Sequence, residues 1–226
     1  MKQNTLMMFA VLMLLGACSV VPKTSAPEKR KPVYRIQLGS NKGGIVDNTD
    51  MSVVPGAGVD AFSGATVRGL NAGAKVLLPL KYNSAETGVE IMSNKQVLAY
   101  NDQQNNFVGQ RSIALTQFMV PLTYSIGIFK KNVPEGLVQL KFGYLAQLNY
   151  FRFDSKGQLP EYSTKVFSSG AVLGLSTCPF KHGNGSRIGV FMDAYRGSPA
   201  YHDFYNQPEF EMPGTAFVKY GIVYQF

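Results

Sequence analysis

The feature that most constrains the fold is an alternation of apolar and polar residues that runs through the segment VQLKFGYLAQLNY. Val138 and every second residue as far as Tyr150 are apolar, whereas the positions between them are polar or small, with the exception of Leu145. A period of two residues is typical of a β-strand with one apolar face. A strand of this length can cross a bilayer when it is tilted.

Two further segments repeat this pattern, and five others carry it less regularly. The alternation is complete in LNAGAKVLLPLKY and FMVPLTYSIGI. It covers shorter lengths in YRIQL, FSSGAVLGLS, RIGVFMDA and KYGIVYQF, and it is lost after Ile91 in GVEIMSNKQVLAY. Pro79 and Pro121 predict bulges or bends in their strands, because proline cannot donate a hydrogen bond to the ladder. Helical periodicity is hard to find. The sequence therefore predicts an all-β fold with eight strands.

The connections between these strands alternate in length. The short connections are NSAE, KKNVPEG and KHGNGS. The longer ones are residues 40–68, NDQQNNFVGQ, DSKGQLPEYS and residues 197–214. Outer-membrane barrels have an even number of strands, short periplasmic turns and long outer loops. We therefore expect an eight-stranded antiparallel up-and-down transmembrane β-barrel in the outer membrane, surrounded by lipid, with both termini in the periplasm.

The N-terminal segment has the features of an export signal. Lys2 precedes an apolar run, Leu6 to Leu15, that is too short to cross a bilayer as a helix, and small residues follow it. LGAC resembles the lipobox of bacterial lipoproteins, and this resemblance implies lipidation of Cys18. We therefore predict a signal peptide at 1–17, a lipidated flexible tether at 18–32 and the barrel at 33–226; an ordinary signal peptide with a chance cysteine is the alternative.

Few residues are available for a cofactor or a metal. The chain has two cysteines and two histidines, and lipidation of Cys18 would leave Cys178 without an intramolecular disulfide partner. One cysteine and two distant histidines do not make a metal site, so no metal and no cofactor are expected. The formal net charge of +8 does not indicate nucleic acid as a partner, because the chain is exported.

The C-terminal segment KYGIVYQF keeps its alternation up to Phe226. In a bilayer every backbone polar group must be paired, so the last strand is expected to pair with the first and close the sheet. The segment also resembles the C-terminal signal of outer-membrane proteins, with Lys219, Gly221, Tyr224 and Phe226 at the four characteristic positions. This resemblance implies recognition by the barrel-assembly machinery.

The central part of the sequence resembles the PorT-like family of small outer-membrane barrels. The resemblance lies in TQFMVPLTYSIGI, a glycine-containing turn and LVQLKFGYLAQLNY, and it covers most of the mature chain in pattern but little of it in identity. It implies an eight-stranded barrel and makes envelope or secretion-system proteins candidate partners. It carries no catalytic motif.

The polar faces of the strands define the expected lumen. A barrel of eight strands is just wide enough for its own side chains, and buried charges are costly unless they are paired or hydrated. We therefore expect a polar network that plugs the lumen and a structural, envelope-interaction or secretion-associated role. The inward set is Lys75, Lys81, Glu90, Gln139, Lys141, Arg187, Asp193 and Lys219. The excess of basic residues leaves a narrow anion-favouring channel as an alternative.

Three other interpretations stay open at this point. A hydrolase similar to the lipid A deacylases would use His202 with Asp203, but Phe204 stands where that family has its serine, so no catalytic residue is assigned. A soluble, lipocalin-like lipoprotein would place the apolar face of each strand inside and bind a ligand there. A soluble β-sandwich would also show alternating strands.

Overall fold

The computed structural model describes residues 31–44, 61–66, 68–81, 83–101, 104, 106–128, 137–156, 164–198 and 215–226. The strands are β1 (Val33–Gly44), β2 (Ala61–Thr66), β3 (Arg68–Pro79), β4 (Ser84–Asn101), β5 (Phe107–Ile128), β6 (Val138–Lys156), β7 (Phe167–Lys181), β8 (Arg187–Gly197) and β9 (Ala216–Gln225). The predicted signal peptide, Cys18 and nearly all of the predicted tether lie outside the described residues. No helix within the described ranges is long and apolar enough to cross a membrane.

The strands form one closed antiparallel barrel. From β3 to β9, each strand pairs with the next strand in sequence. β1 pairs with both β3 and β9, which closes the sheet. β2 and β3 pair with successive parts of β4, and together they occupy one position in the barrel. The predicted eight-stranded architecture is therefore confirmed, with one of its strands divided in two.

The pairing register gives the tilt of the strands. A row of paired residues that starts at Tyr34 passes once around the barrel through all the other strand positions and returns to β1 at Gly44. The row is thus displaced by ten residues along β1 after one circuit. An eight-stranded barrel with this stagger has strands tilted by about 40° from its axis, so each row climbs as it passes from β1 towards β8.

The two faces of the barrel have opposite polarity. The outer face carries large apolar side chains with high exposure, among them Leu70 at 73%, Leu122 at 67% and Leu173 at 65%. The inner face carries buried charged and amide side chains. This distribution is the inverse of a soluble protein's, and it contradicts the lipocalin-like and sandwich alternatives, both of which require a buried apolar face.

Several strands extend further than the sequence predicts, and the longest of them are β4, β5 and β6. β4, β5 and β6 have 18, 22 and 19 residues, so half of NDQQNNFVGQ belongs to strands rather than to a loop. Most of their outward residues near the loop end, such as Lys95, Ser112 and Arg152, are polar or small, so the alternation that would identify the strand is lost there. At Pro121 pairing with β6 continues without a shift of register, whereas pairing with β4 is interrupted between Leu122 and Met119 and resumes in the same register.

Candidate functional site: the charged lumen

Seven charged side chains converge inside the barrel. Glu86 and Glu90 lie four residues apart on β4, and even spacing on a strand places both on the inner face. The other members come from five different strands. They are Arg35 on β1, Lys75 on β3, Lys141 on β6, Asp193 on β8 and Lys219 on β9. We call these seven residues the lumen cluster; all of them are at least 94% buried.

Lys75 lies at the centre of the lumen cluster. Its Nζ is 2.5 Å from Glu90 Oε1, 3.2 Å from Glu86 Oε1 and 3.8 Å from Asp193 Oδ2. Glu86 and Glu90 lie on β4, whereas Asp193 lies on β8 in the opposite part of the wall. One ammonium group therefore links two sides of the barrel across its interior.

The other cations complete the network. Lys141 Nζ is 2.8 Å from Asp193 Oδ1 and 3.6 Å from Glu86 Oε1, and Lys219 donates a hydrogen bond to Glu90. Arg35 donates to Glu86 at 3.2 Å and to Gln225 Oε1 at 2.7 Å and 3.1 Å. The cluster has four basic and three acidic groups, so its formal charge is one unit positive.

The space left between these groups is small. A cavity of about 10 Å³ is lined by every member of the lumen cluster except Arg35, together with Pro121, Thr123, Leu145 and Val172. This volume is roughly the room that one water molecule needs. Unpaired charges in a low-dielectric interior cost several kcal/mol each, and the dense pairing avoids this cost. The lumen is therefore filled by side chains at this level.

A second polar layer lies nearer the loop end of the barrel. Gln117 donates hydrogen bonds of 2.8 Å to both Gln147 and Asn149. Ser168 accepts a hydrogen bond from Asn149 at 2.8 Å and donates one to Gln147 at 2.9 Å. These amide and hydroxyl groups are buried, and Tyr195 and Phe217 stack with ring centroids 6.3 Å apart on the same inner surface. This layer therefore adds a second group of hydrogen-bonded side chains on the inner wall.

The structure brings together five of the eight lumen residues suggested by the sequence: Lys75, Glu90, Lys141, Asp193 and Lys219. Gln139 is buried on the inner face and accepts a hydrogen bond from Ser125 at 3.5 Å. Arg187 is half-buried near the start of β8, where it donates to the carbonyl of Cys178. Lys81 is exposed just beyond the end of β3, which differs from the inward position assigned to it, because the strand ends at Pro79 and its alternation stops there.

Sequence reasoning missed Glu86 and did not single out Arg35. Glu86 lies in NSAE, which reads as a turn, although β4 already begins at Ser84. Its spacing of four residues from Glu90 was the available signal, since both must face the same side if they share a strand. Arg35 stands between Tyr34 and Ile36, both exposed, and this short alternation placed it on the inner face without indicating its carboxylate partner.

The four residues of the C-terminal signal divide between the two faces. Lys219 belongs to the lumen cluster, and Gly221 is paired with Gly39 of β1. Phe226 is exposed on the outer face and stacks on Tyr34, with ring centroids 6.0 Å apart, and Tyr224 packs against it. His202 and Asp203 lie outside the described residues, so the hydrolase alternative stays a prediction.

These features define a class of protein: a closed eight-stranded barrel with an apolar exterior and a charged interior filled by side chains. No family model matches the chain, and no curated protein matches it. Among solved structures, the chain is similar to the crystal structure of the outer membrane protein OprG from Pseudomonas aeruginosa, with a TM-score of 0.42 and 10% sequence identity over 86% of this chain and 95% of that chain. The PorT-like resemblance therefore stays a prediction.

Proposed function

We propose that this chain is an outer-membrane barrel with a sealed lumen, and that it acts as a structural and interaction protein of the envelope rather than as a pore. The observation that carries the proposal is the lumen cluster. Lys75, Lys141 and Lys219 cross-link carboxylates from opposite parts of the wall, and the cavity between these groups has about the room that one water molecule needs.

The location in a membrane is supported by the outer surface. Exposed large apolar side chains occur on every barrel position for which the structure describes side chains, and a surface of this size would be strongly unfavourable in water. The sheet also closes on itself, because β1 pairs with both β3 and β9, and closure is what a bilayer requires of a sheet. Lipid is therefore the expected environment of this face.

The orientation is supported by the connections. β1 begins and β9 ends at the same end of the barrel, and the short connections join β3 to β4, β5 to β6 and β7 to β8 from the strand termini at that end. The two longest connections join β1 to β2 and β8 to β9 from the strand termini at the other end. In outer-membrane barrels the end with the short turns faces the periplasm. Periplasmic termini would also place a lipid on Cys18 in the inner leaflet, and the barrel-assembly machinery would act on the C-terminal strand.

Electrical recording in planar bilayers tests the sealed lumen. We expect the wild-type barrel to insert without a measurable conductance. Removal of two carboxylates in Glu86→Ala/Glu90→Ala leaves four cations against one acid, and the lumen should hydrate and pass small anions. This variant shows that the assay detects an open lumen.

A narrow anion-favouring channel is the second candidate, because the lumen cluster carries one excess positive charge. Steady, anion-selective steps from the wild-type barrel would establish that function and contradict the sealed lumen. A silent wild type beside a conducting Glu86→Ala/Glu90→Ala variant would support the structural role. Interaction with envelope or secretion-system proteins then becomes the activity to look for at the loop end.

A further inference from the structure

Four basic side chains on the outer surface lie along one line that crosses neighbouring strands near the loop end of the barrel. Lys42 on β1 is paired with Arg68 on β3. Lys95 on β4 is paired with Ala114 on β5, and Ala114 is paired with Arg152 on β6. We call Lys42, Arg68, Lys95 and Arg152 the basic row; all four side chains are exposed.

The row spans five adjacent strand positions, although Arg68 and Lys95 are placed next to each other by the register and are not themselves paired. Arg68 precedes Leu70 by two residues, Lys95 follows Ser93 by two residues, and Leu70 and Ser93 are themselves paired. Neighbouring strands are about 4.8 Å apart, so the row extends over roughly 19 Å of the barrel surface. It is wide enough to meet several phosphate groups side by side.

The chemistry of the outer face changes in steps towards this row. One row of paired residues is entirely apolar: Leu38, Ala72, Ile91, Phe118 and Leu148. The next row, two residues nearer the loops and hence about 7 Å along the strands, introduces hydroxyl groups: Ser40, Leu70, Ser93, Thr116 and Tyr150. The basic row is the one after that. This order from apolar to hydroxyl to cation follows the order of groups in a lipid leaflet.

The basic row has no counter-charge among the described residues that would neutralise it. None of its four side chains makes a hydrogen bond or an ion pair with another described residue. Like charges directly opposite each other on neighbouring strands are destabilising, and Lys42 and Arg68 are such a pair. Asp154, two residues beyond Arg152, is the only described acidic side chain on this face. An external anion would relieve the repulsion.

We propose that the basic row binds the phosphate groups of the phosphorylated glycolipid in the outer leaflet. The proposal rests on the proposed orientation, in which the loop end faces outward. Because the strands are tilted, the row climbs by about 12 Å between Lys42 and Arg152. Lys42 and Arg68 thus lie at the upper edge of the band of apolar outward residues, which we call the apolar belt, and their side chains can extend to the headgroups. Arg152 lies at the level of the sugars and their phosphates.

Titration of the purified, folded barrel with defined lipids tests this inference. The probes are diphosphorylated lipid A, the same lipid without phosphate, and phosphatidylglycerol, and native mass spectrometry gives an apparent Kd for each. We expect the wild type to prefer diphosphorylated lipid A over both other lipids. Lys42→Gln/Arg68→Gln is expected to raise its Kd on the order of tenfold, and added salt should weaken the wild-type complex.

A matched control removes two exposed charges from the opposite end of the barrel. Lys31→Gln/Lys181→Gln has the same change of net charge and is expected to leave the Kd unchanged. An equal loss in both variants would show a nonspecific effect of charge and would overturn the proposal. Equal affinity for the lipid without phosphate, or for phosphatidylglycerol, would overturn it as well.

Failure of this inference is distinguishable from failure of the proposed function. A barrel that inserts, does not conduct and shows no preference for diphosphorylated lipid A contradicts the inference alone. A chain that does not insert into lipid, or a wild type that conducts, contradicts the proposed function. The mobility of the folded form on unheated gels confirms that each variant has formed the barrel before it is titrated.

Discussion

Glu86 contacts three cations of the lumen cluster: Arg35 at 3.2 Å, Lys75 at 3.2 Å and Lys141 at 3.6 Å. Its side chain is fully buried, so Glu86→Gln would leave these cations short of a carboxylate without access to bulk water. Removal of one partner from a buried ion pair costs about 3–5 kcal/mol. We expect a loss of this order in the free energy of unfolding, measured by urea titration of the barrel in lipid vesicles.

Asp154→Asn provides the comparison. Asp154 is an acidic residue on the outward face of β6 and is exposed, so its substitution should change the unfolding midpoint little. The chain has no tryptophan, and the fraction of folded barrel is therefore better followed by gel mobility than by fluorescence. Equal stability of the Glu86 and Asp154 variants would mean that the lumen cluster does not hold the wall together.

At the scale of single residues, the sequence predicts on which face of the sheet a side chain lies better than it predicts which residue that side chain contacts. Alternation assigned Lys75, Lys141 and Lys219 to the interior because each lies between outward apolar neighbours. It does not reveal that Lys75 meets Asp193, since that contact depends on how far the register climbs around the barrel. Lys81 shows where this reasoning fails, because it lies two residues beyond the end of β3, and alternation assigns a face only within a strand.

The seam between β1 and β9 is the element that closes the barrel, and two glycines meet on it. Gly39 and Gly221 are paired, and a Cβ at Gly221 would lie 2.2 Å from the backbone oxygen of Leu38 and 2.5 Å from Gly39 Cα. Backbone atoms cannot move aside as a flexible side chain can. We expect Gly221→Ala to destabilise the barrel by about 1–3 kcal/mol.

This prediction is best measured by refolding the purified chain into vesicles without any assembly machinery. A defect there belongs to packing of the seam, whereas a defect seen only in cells would belong to recognition of the C-terminal signal. Gly183→Ala serves as the control, because nothing lies within 4 Å of its added Cβ. Similar refolding of the two variants would show that the seam tolerates the extra atom.

At the scale of elements, the alternating centre of each of the eight predicted strands was predictable, whereas the loop-side ends of β5 and β6 were not. The alternation of VQLKFGYLAQLNY lies within β6, but β6 continues to Lys156. The outward positions beyond Tyr150 include Arg152 and Asp154, which suit water or headgroups rather than lipid tails. Hydrophobic periodicity marks only the part of a strand that lies in the apolar belt, and hydrogen bonding carries the strand further.

The architecture of the whole molecule follows from two properties that the sequence does display. Eight alternating segments with an apolar face leave a closed barrel as the arrangement that pairs every edge, and a closed barrel of this size must fill its interior. The stagger of ten residues and the division of one strand into β2 and β3 do not follow, because they depend on pairings between distant segments. The basic row emerges only once that stagger is known.

Two substitutions on the outward face of one strand can test whether the outer surface of the barrel contacts lipid. Leu122 and Thr116 both point outward from β5, but Leu122 lies within the apolar belt and Thr116 lies in the hydroxyl row nearer the loops. A charged residue at the middle of a bilayer costs about 2–4 kcal/mol in a barrel, against about 0–1 kcal/mol near the interface. Leu122→Arg should therefore lower the folded fraction in vesicles, whereas Thr116→Arg should leave it nearly unchanged. In a protein that exposes this face to water, Leu122→Arg would be harmless or would improve solubility, so its tolerance would contradict the membrane location directly.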